Sequence, residues 1–187
     1  MRRDSHWKRS AGPKGRRGIV VLEFILWTPV FVILLVSIVE FGLIWMNLQQ
    51  VKAAANAGAK VASELTTAQL SSGLAANNID LVEDAVQKVL GSAYMTPCRV
   101  ILEYNPPNTC VPGSPGTKAT TSSCPVACNA PSSSLPSTTD IPGGSVRVTV
   151  CVNINQLTPN LLSTFGFSIS NRNAKMSTTL PYENCDG

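Results

Sequence analysis

The chain has 187 residues, 14% of them charged, with a formal net charge of +4. That length suits one modest domain plus an anchor, and the charge is segregated rather than spread. Residues 1–18 carry seven bases and one acid, and residues 19–187 carry eight bases and ten acids, so a uniformly basic, nucleic-acid-coating protein is excluded.

Residues 1–15 are polar, basic and interrupted by Gly and Pro, and no fold is expected there. Ile19–Met46 is a 28-residue apolar run broken only by Glu23 and Glu40. As a helix it spans about 42 Å, more than the ~30 Å hydrocarbon core of a bilayer. A basic tail directly before such a span keeps the N-terminus in the cytoplasm and sends the rest across. A nucleic-acid-binding arm is the other reading of that tail, and the apolar run that follows it argues for the membrane. The run is about twice as long as the ~7–15-residue apolar region of an ordinary signal peptide. The span therefore stays as an anchor, or the chain is cut ahead of it.

After Met46 the helical signal continues through the alanine-rich residues 47–65. Val51, Ala54, Ala55, Gly58, Ala62 and Leu65 share one face. Within it Ala54, Gly58 and Ala62 form a small-residue ladder at spacing four, which lets another helix approach closely. The same alanines also favour helix by propensity alone. Span and extension together make one helix of roughly 45 residues, about 68 Å long. A polar break, 66–77, leads to a second helix with Asn78 as expected N-cap and Gly91 as stop. Ile79, Val82, Val86, Val89 and Leu90 line one side of it, and charged residues including Asp84 and Lys88 fill the other.

Strands are expected at Arg99–Tyr104, at Ser145–Asn153 and, as a polar edge, within Phe167–Leu180. The second alternates strictly, with Val146, Val148, Val150 and Val152 on one face and Arg147, Thr149 and Cys151 on the other. Between the first two strands, residues 105–144 are dense in Pro, Ser, Thr, Gly and Cys. They read as a surface excursion stapled by disulfides. All six cysteines (Cys98, Cys110, Cys124, Cys128, Cys151 and Cys185) lie beyond the span. An even number on the translocated side reads as disulfides in an oxidising compartment, and their pairing is open among 15 connectivities. Cys124 and Cys128 have tolerable zinc-ligand spacing, but a site there would need four thiolates. The only histidine, His6, is on the other side of the span.

The expected fold class is α+β: a long N-terminal transmembrane and amphipathic helix, then a small disulfide-stapled domain with one helix packed on a short antiparallel sheet. The expected divisions are a basic leader, 1–18, a transmembrane helix, 19–46, a helix extension, 47–65, and an extracytoplasmic head, 66–187. No catalytic, cofactor or metal constellation is recognisable. The head has no histidine for a Ser/His/Asp or Cys/His arrangement, no phosphate-binding loop, and no pair of carboxylates placed for acid–base work. An enzyme is not expected.

Arg16-Arg17-Gly18, Glu23-Phe24, Pro29, Val39-Glu40-Phe41-Gly42 and the alanine-rich Gln49–Ala62 together resemble the TadE-like family. These are pilin-like proteins of the tight-adherence (Tad) pilus machinery, a branch of the type IV pilus and type II secretion systems. A looser likeness covers the strand 146–152, the segment Leu157–Phe167 and the closing run Ala174–Glu183. The resemblance implies cleavage by a prepilin peptidase after Gly18, making Ile19 the first mature residue and Glu23 the fifth. It further implies that Glu23, with Phe24 beside it, engages a neighbouring subunit through that subunit's new N-terminal amine. A carboxylate deep in lipid costs on the order of 2.5–3.5 kcal/mol and wants such a partner; the simpler alternative is that Glu23 reaches water at the near interface. Glu40 reads as an interfacial charge. Implied partners are membrane lipid, other Tad pilins or pseudopilins, inner-membrane platform proteins and the prepilin peptidase, with no nucleic acid and no cofactor. The implied location is the bacterial inner membrane, single-pass, with a periplasmic or extracellular head. The competing function is that of a membrane-tethered extracytoplasmic binding protein with no part in pilus assembly.

Overall fold

A computed structural model describes residues 17–66, 76–106, 115–136 and 144–182. The first element, α1 (Arg17–Glu64), is one uninterrupted helix of 48 residues with Pro29 inside it. It begins two residues ahead of the expected Ile19 start. Alanine-rich sequence carries it past the apolar run without a break, because neither Gly42 nor Gly58 is followed by a proline that would stop it. The second helix, α2 (Ala76–Gly91), starts three residues ahead of the expected Ile79, so Asn78 lies within it rather than at its cap.

Four strands make one antiparallel sheet: β1 (Arg99–Asn105), β2 (Gly116–Ala119), β3 (Ser145–Asn153) and β4 (Asn173–Pro181), in the spatial order β2-β1-β3-β4. The strand expected within 167–180 is β4, at the sheet edge; it starts at Asn173 because the chain before it is occupied by two 3-10 turns, Ile154–Gln156 and Leu161–Phe165. The strand β2 was not expected. Its four residues, Gly-Thr-Lys-Ala, show no apolar alternation, and it is held by backbone pairing to β1. Gly116 is required there, since a Cβ would lie 2.4 Å from the Tyr104 hydroxyl. Lys118 follows, with Nζ 6.0 Å from the Tyr104 ring centroid, and burial lowers its pKa.

The main core lies between the sheet and the two helices. Val100, Leu102, Tyr104, Val146, Val148, Val150 and Val152 meet Val51, Ala54, Ala55, Ala59 and Ala62 of α1 and Val82, Val86 and Leu90 of α2. The second face of the sheet is buried as well. Every residue of β3 from Ser145 to Val152 is buried; the described part of the excursion, 115–136, covers that face as a layer while its own residues, Cys128 apart, stay exposed or half-buried. Two disulfides pin its described part, Cys98–Cys124 and Cys128–Cys151; Cys110 and Cys185 lie outside the described residues. Beneath the layer Arg147 is nearly sequestered. It donates to the carbonyls of Ser133 (2.6 Å) and Ser134 (3.0 Å) and to Thr179 Oγ1 (3.1 Å), and pairs with Glu103 at 3.5 Å. Arg99 Nη1 donates to the Cys128 carbonyl at 2.8 Å. A charged side chain placed under a layer without regular structure is satisfied by that layer's own carbonyls.

Candidate functional site: the apolar span and its junction with the head

The first half of α1 is apolar and faces outward. From Val20 to Met46 most of its large side chains, among them Phe24, Trp27, Phe31, Ile38, Phe41 and Trp45, are exposed. Its hydroxyl side chains are turned back on the helix: Thr28 Oγ1 donates to the Phe24 carbonyl (2.7 Å) and Ser37 Oγ to the Ile33 carbonyl (2.8 Å). This is how hydroxyls are accommodated where water is absent. Among the described residues one helix is long and apolar enough to cross a membrane, and it is this one. Glu23 is exposed on the same surface, with Phe24 beside it; no partner in the chain reaches Glu23 among the contacts described. Phe24 lines a shallow apolar hollow with Trp27, Thr28, Val30, Phe31 and Leu34. Gly18 and Ile19 fall within α1, at its first turn.

The second half of α1 is a structural element of the head. Ala54, Gly58 and Ala62 all face inward. The helix that approaches this ladder is the chain's own α2, with β3 beside it. A Cβ on Gly58 would sit 2.8 Å from Val86 Cγ2, 3.2 Å from Val148 Cγ1 and 3.4 Å from Val82 Cγ1. At the far end the Tyr182 hydroxyl donates to the Leu65 carbonyl, tying the end of β4 to the end of α1. Burial pushes the Tyr182 phenol up to about 12.

Between the two halves stands Glu40, expected as an interfacial charge. It is 1% exposed. Its Oε2 accepts from the Leu162 backbone N–H at 3.0 Å and its Oε1 from the Thr158 hydroxyl at 3.3 Å. Two turns further along, Asn47 Nδ2 donates to the Leu157 carbonyl. The carboxylate thus fastens the segment after β3 to the C-terminal end of the apolar run. No periodicity marks this contact, because its partners are 118 and 122 residues away; the only signal was an acid inside an apolar run with no evident use. Replacing Glu40 by Ala leaves the Leu162 N–H and the Thr158 hydroxyl without their acceptor and should cost about 1–3 kcal/mol. The loss should be local. Hydrogen exchange of amides 158–166 should accelerate while the β1–β3 amides keep their protection; unchanged exchange at Leu162 would show that the carboxylate is dispensable.

Cys124 and Cys128, the pair with metal-ligand spacing, are each committed to a disulfide. Among the described residues no three of His, Cys, Asp and Glu converge to hold a metal ion.

The apolar, outward-facing half of α1 and its alanine-rich continuation coincide with a family signature. Residues 18–60 match the family model described as TadE-like protein. Over those residues, under a quarter of the chain, the sequence is similar to TadE-like proteins. The match covers the apolar run, Glu23, Phe24, Glu40 and, of the inward-facing ladder, Ala54 and Gly58; it stops before Ala62, α2 and the sheet. It coincides with the helix that is long and apolar enough to cross a membrane, which supports a membrane anchor. No match was found among curated proteins or among solved structures.

Proposed function

We propose that this chain is a TadE-like protein, a minor pilin or pseudopilin of the Tad pilus machinery, without catalytic activity. It sits in the bacterial inner membrane with residues 1–18 cytoplasmic, 19–46 in the bilayer, and the extension 47–65 carrying a head on the opposite side. The observation that carries the reading is the division of α1. One helix presents a lipid-compatible surface along its first half and serves as a core element of the head along its second. That is the form required of a subunit that waits in a membrane and is then drawn into a helix-cored filament by its apolar half. The disulfides fit a head in an oxidising compartment, and the basic leader fits a cytoplasmic N-terminus.

In this reading a prepilin peptidase cuts after Gly18 and frees the Ile19 amine. Glu23, exposed in lipid, then accepts a neighbouring subunit's amine, with Phe24 packing at the same contact. Other Tad pilins or pseudopilins and inner-membrane platform proteins are the partners. N-terminal sequencing of the mature protein, from cells with and without the cognate peptidase, tests the scheme. A chain starting at Ile19 that reverts to the uncut form without the peptidase is expected. A full-length chain in both strains would refute processing and favour a simple membrane tether for the head.

A further inference from the structure

The segment after β3 reaches down the side of α1. Leu157 is held at the level of Asn47, and Thr158 and Leu162 at the level of Glu40. Seven helical residues separate those levels, so the chain descends about 10 Å toward the N-terminal end of α1. It turns at the foot of this descent, in the 3-10 turn Leu161–Phe165, bracketed by Asn160 (φ 53°) and Gly166 (φ 86°). The lowest stretch presents Leu161, Phe165 and Phe167 outward, 42%, 42% and 63% exposed.

The level reached is set by the span. Glu40 stands about 26 Å along the helix axis from Glu23 and about 32 Å from Ile19. Those values bracket the ~30 Å hydrocarbon thickness. Trp45, exposed on α1 a little over a turn beyond Glu40, is a side-chain type of the membrane–water boundary.

The composition of the segment matches its depth. No charged residue occurs from Val148 to Asn171, and Arg172 follows. Its hydroxyls are used internally. Ser163 Oγ donates to the Asn160 carbonyl (2.7 Å), Thr164 Oγ1 to the Leu161 carbonyl (2.8 Å), and Ser168 and Ser170 share a bond at 2.7 Å. The lack of charge suits a segment at the boundary, and hydroxyls already bonded within the segment add little cost there.

We propose that residues 157–168 form a lipid-contacting foot. Leu161, Phe165 and Phe167 enter the headgroup–acyl boundary of the outer leaflet beside α1, and Glu40 is the bolt that holds the foot at that depth. The partner is the bilayer itself. The proposal rests on the reading of α1 as a membrane span.

The test uses the full-length protein in vesicles of phosphatidylethanolamine and phosphatidylglycerol, with acyl-chain-brominated lipid as a quencher. The natural Trp7, Trp27 and Trp45 are replaced by Phe, and F165W supplies a single reporter; F167W repeats the measurement at a site that packing constrains less. A protein retaining only Trp27 is the control for the span. The foot reporters should lose about half their emission to lipid brominated near the glycerol end of the chain, as expected 5–10 Å into the boundary. They should lose less to deep bromines and little to aqueous iodide, while Trp27 responds to deep bromines. Foot reporters quenched by iodide and untouched by brominated lipid, with Trp27 still quenched, would place the foot in water and overturn the proposal alone. Protection from both quenchers would mean that protein covers the foot, a second copy or another pilin, and would overturn it equally. An unquenched Trp27 would overturn the span and the foot together.

Discussion

Replacing Cys128 and Cys151 by serine should destabilise the head by about 3 kcal/mol, a loss of the size expected for opening a loop of this length. The bond joins positions 23 residues apart. It does more than close a loop. Cys151 lies on the central strand β3 and Cys128 on the covering layer, so the bond fastens the layer to the middle of the sheet. Without it the carbonyls of Ser133 and Ser134 are free to leave Arg147, and Arg147 is then a charge with half its partners missing. Removing partners from a buried charge is costly in its own right. Urea unfolding of the detergent-solubilised protein, followed by near-UV circular dichroism, measures the change. A midpoint shift worth less than about 1 kcal/mol would mean that the layer is held mainly by β2 and its backbone bonds.

The second large effect is expected at Gly58. Gly58→Leu should cost about 3 kcal/mol or more, because a side chain there is driven into Val86 and Val148 at distances a packed core does not concede. Ala53, exposed on the same helix, gives the contrast: Ala53→Leu should change stability by no more than about 0.5 kcal/mol. Thermal unfolding of both variants decides the matter. A Gly58→Leu protein with an unaltered head but impaired pilus assembly would move the ladder from the inside of the subunit to the contact between subunits.

What could be read from the chain in advance was whatever leaves a period or a length. The apolar run is long enough to be recognised without any fold. Val146, Val148, Val150 and Val152 announce a strand with one buried face, and Ile79, Val82, Val86 and Leu90 announce the helix that covers it. The opposite face of β3 was opaque, since Arg147 and Thr149 are residues that normally meet water. They are buried by a layer whose sequence, rich in Ser, Pro and Cys, has no period at all. The strand β2 was hidden for a related reason, because it is defined by the backbone of β1 and by the ring of Tyr104. The ladder at Ala54, Gly58 and Ala62 advertised close packing, but nothing local distinguishes a neighbouring molecule from the chain's own α2. Glu40 was the hardest, because its partners lie at the other end of the chain.

The single helix α1 also has a mechanical consequence. At 48 residues it is a rod of about 72 Å, and no linker lies between the part that faces lipid and the part clasped by the valine core. The head cannot swivel independently of its own stem. A rotation of the stem about its axis turns the head through the same angle, and a tilt of the stem swings the head sideways in proportion to its height. A pull along the stem arrives in the core as shear between α1 and the sheet, with no slack to absorb it on the way. The one place where the rod lacks a backbone donor is Pro29, below the head, so compliance is confined to the stem and the head travels as one piece.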